Sequence, residues 1–183
     1  MTRTARLFLL LALALPTVAT AALRTDGKPK VSFFATGSPG FLDIEGTSSA
    51  LTTVDDGASL TFSVPMSTVT TGIGLRDDHM NNEYVDVARF PNAVMKVARG
   101  DVKWPVNTGE KTTGSVAGDF NVHGQSQAVT VSYTNVRTAK GFKVTAMFKF
   151  DAGKSGIVIP SYMGVTVDSK MSAQVTAELA DAG

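Results

Sequence analysis

With 183 residues, the chain is long enough for a single domain with a sizeable core. Its 17 Lys and Arg against 16 Asp and Glu give a formal charge of +1 with no basic block, which leaves no electrostatic case for nucleic acid or anionic headgroups. The absence of Cys excludes a disulfide framework and a lipoprotein-type acylation site.

Arg3 and Arg6 make the start positive, Leu7 to Leu15 form an uncharged apolar run, and Ala19-Thr20-Ala21 sets small residues where a signal peptidase reads. The run is too short and wrongly flanked for a membrane span. Residues 1–21 therefore read as a cleaved signal peptide and 22–183 as the mature domain. Losing Arg3 and Arg6 takes the 17 basic residues to 15, against 16 acidic ones. The expectation is a periplasmic protein without stable membrane insertion; an uncleaved anchor helix is the competing reading.

Period-two alternation then recurs along the chain. "KVSFFA" and "GFLDIEG" are short strand candidates split by Gly37-Ser38-Pro39-Gly40. Asp55-Asp56-Gly57 turns the chain into "ASLTFSV", which sets Leu60, Phe62 and Val64 opposite Ser59, Thr61 and Ser63. After residues 75–84, Pro91 opens "NAVMKVARGDVKW", and Asn107-Thr108-Gly109 turns towards "SVAGDFNV" with Val116, Phe120 and Val122 on one face. His123-Gly124 leads into "AVTVSY" (Val129, Val131, Tyr133), and Ala139-Lys140-Gly141 into "FKVTAMFKF" (Phe142 to Phe150). "KMSAQVTAEL" closes the series, with Met171, Ala173, Val175, Ala177 and Leu179 opposite Lys170, Ser172, Gln174, Thr176 and Glu178.

This makes about eight antiparallel strands, each apolar on one face, which must pack as two sheets or close on themselves. The long last strand favours closure, and a barrel of that size is either filled by side chains or holds one small ligand. The inward positions mix Phe with Ala35, Ala93, Gly118, Ala146, Ala173 and Ala177. Such a mix suits a slot lined by rings and suits ordinary interdigitated packing equally.

"LRDDHMNNEY", residues 75–84, is the most charged stretch. It lacks the alternating oxygen ligands and central Gly of an EF-hand, and a zinc site would have only His79 and His123 to draw on. No Gly-x-Ser-x-Gly turn or phosphate-binding Gly pattern accompanies it. It reads as a short helix or turn between strands, with Asp77 or Asp78 in its first turn and Met80 and Tyr84 one turn apart. The residues indicate no metal, cofactor or catalytic group.

The segment "STVTTGIGLRDDHMNNEYVDVARFPNAVMKV" resembles the signature of the YceI-like family, a bacterial lipocalin-like lipid- or polyisoprenoid-binding domain. Thr71, Gly72, Arg76, Asp77, His79, Met80, Tyr84, Asp86, Phe90 and Pro91 carry the likeness. Gly118, Phe120, Val122, Gly124 and Val129 match its next block, and "SGIVIPSYMGVTVDSKMSAQVTAEL" is similar to its closing segment. Many members start with a His-Ser-x-x-x-Phe motif; this chain has "KPKVSFFATGSPGF" there.

The resemblance implies an all-β fold, an eight-stranded antiparallel lipocalin-like β-barrel with a short helix or loop crossover near residues 75–84. It also implies a long apolar channel for an isoprenoid chain, an isoprenoid quinone or another amphipathic lipid. On that basis Phe33, Leu42, Phe62, Met95, Phe120, Val131 and Phe148 are the expected inward contacts, and Arg76 the expected headgroup contact. The implied role is periplasmic transport, storage or sequestration of lipid by a non-enzyme, and a homodimer is compatible with it. The alternative is a packed-core stress-response or interaction module that works through its outer surface.

Overall fold

Residues 22–38, 42–162 and 164–181 are described by the structure, a computed structural model of the chain. The expected signal peptide lies outside them.

The alternating segments form β1 (Leu23–Ser38), β2 (Leu42–Ser48), β3 (Thr52–Asp55), β4 (Ser59–Pro65), β5 (Asn92–Ala98), β6 (Lys111–Val122), β7 (Gln125–Arg137), β8 (Gly141–Asp151), β9 (Ser161–Tyr162), β10 (Val165–Val167) and β11 (Lys170–Asp181). Every pairing is antiparallel, as hairpin-length connections require. One sheet runs β3-β4-β5-β6-β7-β8-β11-β1-β10-β9, with β2 on the other edge of β1. It curls into a half-barrel. Leu60, Val64, Phe120, Val131, Phe142, Phe148, Ala173 and Leu179 are buried inside, as their alternation dictates.

Among the described residues the sheet holds eleven strands rather than eight, for two physical reasons. Residues 49–51 interrupt what would be one stave: β2 ladders to β1 from Val31↔Ser48 to Gly37↔Leu42, whereas β3 ladders to β4 from Thr52↔Ser63 to Asp55↔Leu60. Residues 161–167 add the small β9–β10 hairpin, which pairs with the end of β1 through Gly37↔Val167 on the edge that β11 also uses.

The half-barrel meets itself where β3 comes beside the start of β1. No backbone ladder joins those two among the described residues. Side chains do the joining: the Leu23 N–H donates to Asp55 Oδ2 at 2.9 Å, and the Thr25 and Thr53 hydroxyls lie 2.8 Å apart. The Asp55 side chain is fully buried. Its Oδ2 also accepts from Arg99 Nε at 2.8 Å, and its Oδ1 from the Gly57 N–H at 2.9 Å. At the other end of the stave, Thr47 and Thr70 exchange backbone hydrogen bonds of 2.8 and 2.9 Å, which covers the free edge of β2.

Asp55→Ala removes the acceptor of two backbone amides and a buried partner of Arg99 together. A buried pair broken from one side costs about 3–5 kcal/mol, and urea denaturation should show a loss of that size with little change in slope. A loss below about 1 kcal/mol would mean that the seam is held by other contacts.

Candidate binding cavity

Inward side chains leave two apolar cavities along the half-barrel, of about 80 Å³ and about 30 Å³. The larger lies between Leu60 of β4, Val97 of β5, Val116 of β6, Tyr133 and Asn135 of β7, Val144 of β8 and Ala177 and Leu179 of β11, and reaches Val102 and Trp104. The smaller is bordered by Val31 and Phe33 of β1, with Leu51, Val64, Ala93, Phe120 and Ala173. Phe62, Met95, Phe148 and Val175 border both, so one slot is divided by a waist of four side chains. Among the described residues, no charged side chain borders either compartment.

Phe120 packs against Phe148 and Phe150, with ring centroids 4.8 and 4.9 Å apart. The waist depends on Gly118. A Cβ there would lie 2.7 Å from Met95 Sδ and 3.1 Å from Val131 Cγ2, so only Gly lets Met95 lie across the slot. At the far end Trp104 packs on Phe142 at 4.6 Å, and the Arg137 guanidinium covers the Phe142 ring at 4.6 Å.

Polar chemistry inside gathers around Lys103. Its N–H donates to the Tyr133 hydroxyl at 2.7 Å, and its carbonyl accepts from Asn135 Nδ2 at 3.1 Å and from Thr112 Oγ1 at 2.7 Å. Tyr133 stands over Gly114, its cross-strand partner, where a Cβ would come 2.6 Å from the phenol oxygen.

Six of the expected contacts border the slot: Phe33, Phe62, Met95, Phe120, Val131 and Phe148. Leu42 does not. It faces the same side as Phe33 and Gly46, but it pairs with Gly37 past the rim and is 36% exposed. Arg76 also lies away from both compartments. It sits in α1 (Gly74–His79), where its Nε donates to Thr71 Oγ1 at 2.8 Å and an Nη to the Thr71 carbonyl at 2.9 Å.

The crossover is therefore a clasp. Asp77 stands in the first turn as expected, yet it accepts from outside the helix: the Thr71 N–H at 2.8 Å, the Thr70 hydroxyl at 2.6 Å and the Thr71 hydroxyl. Burial works against the Asp77 charge, but these hydrogen bonds and Arg76 outweigh it and hold the carboxyl below its usual range. A π-helical turn, Met80–Tyr84, continues α1.

Sequence reasoning missed the inward role of Asn135. The signal was present, since period-two alternation through Val131 and Tyr133 places Asn135 on the same face. Trp104 and Val102 escaped as well, because a single 3₁₀ turn at Arg99–Asp101 ends β5 and redirects them over the slot.

The YceI-like domain model matches residues 25–179. No functionally curated protein matches the chain. Among solved structures, a polyisoprenoid-binding domain from Saccharophagus degradans superposes with a TM-score of 0.71 at 12% identity, covering 89% of this chain and 99% of its own. BcnA of Burkholderia cenocepacia gives 0.63 at 15% identity over 83% of this chain and 96% of its own. A YceI protein of Campylobacter jejuni gives 0.54 at 14% identity over 75% and 86%.

The depressed Asp77 carboxyl sets a direction for pH. Its contribution to the clasp is in place above about pH 4, the range of an unfolded carboxyl, and is lost as pH falls through the lower folded value. Hydrogen exchange at residues 70–79 should accelerate over that interval in the parent protein, beyond the intrinsic change in exchange rate. In Asp77→Asn the segment should be fast at both ends of the interval; a slow, pH-independent Asn variant would refute the clasp.

Proposed function

This chain belongs to the YceI-like domain family, and we propose that it binds an isoprenoid or similar amphipathic lipid inside the half-barrel and shields it from water for transport, storage or sequestration. The observation that carries this reading is the uncharged apolar slot through the sheet's interior. The likeness in fold to a polyisoprenoid-binding domain supports it. Each buried methylene is worth about 0.8 kcal/mol, so a short run of isoprene units gives micromolar affinity with few polar contacts. The chemistry needed is exclusion of water and a fitted width, which makes this a binding protein rather than an enzyme. Export fits the reading, supported by the charged start, the apolar run and Ala19-Thr20-Ala21. Among the described residues no helix is long and apolar enough to cross a membrane.

One observation favours a second reading. Ligand pockets usually measure about 300–1,000 Å³, and the compartments here hold about 80 and 30 Å³. A lipid fits only if the waist side chains swing aside. If they do not, the core is simply packed and the protein works through its outer surface.

Val175→Phe distinguishes the two. It adds bulk to the waist, and overpacking costs about 1–3 kcal/mol of stability in either case. As a channel wall it should also weaken binding of a twenty-carbon isoprenoid by at least about tenfold, read by titration of Trp104 fluorescence. A parent protein that takes up no isoprenoid, and carries none by native mass spectrometry after gentle purification from its own host, would establish the packed-core module.

A further inference from the structure

Asn135 is 1% exposed, and its Oδ1 has no hydrogen-bond partner among the described residues. An unpaired buried acceptor is a standing cost that folded proteins seldom carry without a use. The orientation of the amide is forced. The Lys103 carbonyl can only accept, so Nδ2 must face it, and Oδ1 is the group left over. Tyr133 lies two residues earlier on the same face. Its oxygen accepts the Lys103 N–H, which leaves the phenol proton uncommitted to any described residue. Both side chains are tethered to one residue's backbone and border the larger compartment, with Oδ1 itself closed off until a ligand parts the side chains around it.

We propose that the slot takes its lipid head inward and selects a neutral hydroxyl head, a long-chain alcohol, held between Asn135 Oδ1 and the Tyr133 hydroxyl. This deepens the lipid-binding reading and rests on it. The two protein groups offer one acceptor and one donor, and a hydroxyl supplies the complement of both. An ether, ester or quinone carbonyl only accepts, so it pairs with Tyr133 and leaves Asn135 Oδ1 bare. A carboxylate or phosphate head is disfavoured on other grounds: among the described residues no charged side chain borders the compartment, and a desolvated charge without a partner is costly.

The position also explains why a polar residue is kept there. Leu has a similar volume and would leave the Lys103 carbonyl still bonded to Thr112 Oγ1. Asn135→Leu therefore removes an orphan acceptor without creating another. A purely structural Asn would lose stability on that change, whereas one kept for a ligand would not.

The test compares farnesol with farnesyl methyl ether, which share a tail and differ in the single donor. Trp104 is the only tryptophan and borders the same compartment, so its fluorescence reports binding there. The parent protein should hold the alcohol at least about tenfold tighter than the ether. Asn135→Leu should weaken the alcohol until the two are level, leave the ether unchanged, and melt no lower than the parent without ligand. Equal affinities in the parent, or a tighter ether, would overturn the proposal while leaving tail binding intact, with water then completing Asn135. If neither ligand binds, the lipid-binding reading fails and the proposal with it. The parent ratio needs no variant, so it decides the matter even if Asn135→Leu does not fold.

Discussion

Asp55 stands at the point where this sheet has to join itself without a backbone ladder. A sheet edge presents unpaired N–H and C=O groups, and nature covers them, blunts them or closes the sheet. Here β3 is short and its outer edge faces the start of β1, where one carboxylate accepts from Leu23, Gly57 and Arg99. The charge is buried yet fully bonded, the condition under which a buried ion pair is tolerated. That junction holds the two ends of the curled sheet together, and the curl bounds the width available inside.

Within that width, small residues decide what space remains. Gly118 lets Met95 cross the interior, and Gly114 makes room for the Tyr133 phenol. Ala93 and Ala173 border the smaller compartment, where larger side chains would leave none. The mix of large and small side chains thus has two consequences in one molecule. Around Phe120, Phe148 and Phe150 it gives ordinary aromatic packing, and around Val97, Val116 and Ala177 it leaves a void.

Alternation made the inward faces legible because side-chain direction has a period of two along a paired strand, although β1 shifts register against β11 between Asp26 and Lys30. The ends of elements were not legible. Leu42 follows the correct parity yet lies past the rim, because parity gives direction and not height along the axis. The change of partner between β2 and β3 left no mark in sequence: the break at residues 49–51 carries no Gly or Pro, and Thr52–Asp55 shows no apolar alternation of its own. Arg76, the expected headgroup contact, hydrogen-bonds a Thr five positions earlier, a pairing that no charge pattern announces. The burial of Asn135 follows parity too, but an Asn near the end of a strand looks like turn chemistry until the overlying residues 102–104 are seen.

The two compartments raise the question of whether a tail fits, and magnitudes answer it in part. Driving a side chain about 30° off its rotamer costs about 0.5–1.5 kcal/mol, and the waist has four such side chains. A five-carbon isoprene unit gains roughly 4 kcal/mol on leaving water. Two or three units therefore outweigh the opening of the whole waist, even if every member moves. Met95 opens most readily, because a thioether chain has three soft torsions and fits irregular gaps. Val175 is stiff at χ1, and Phe148 is wedged against Phe120 at 4.8 Å, so these two, neighbours on the paired strands β11 and β8, form a fixed wall of the passage, and the paired Phe62 and Met95 of β4 and β5 supply the rest of the waist. The limit on the ligand is thus cross-section rather than hydrophobic energy. A slender unsaturated chain can pass along the wall of Phe148 and Val175 once Met95 turns, whereas a fused-ring lipid of the same carbon count would need that fixed wall to move as well.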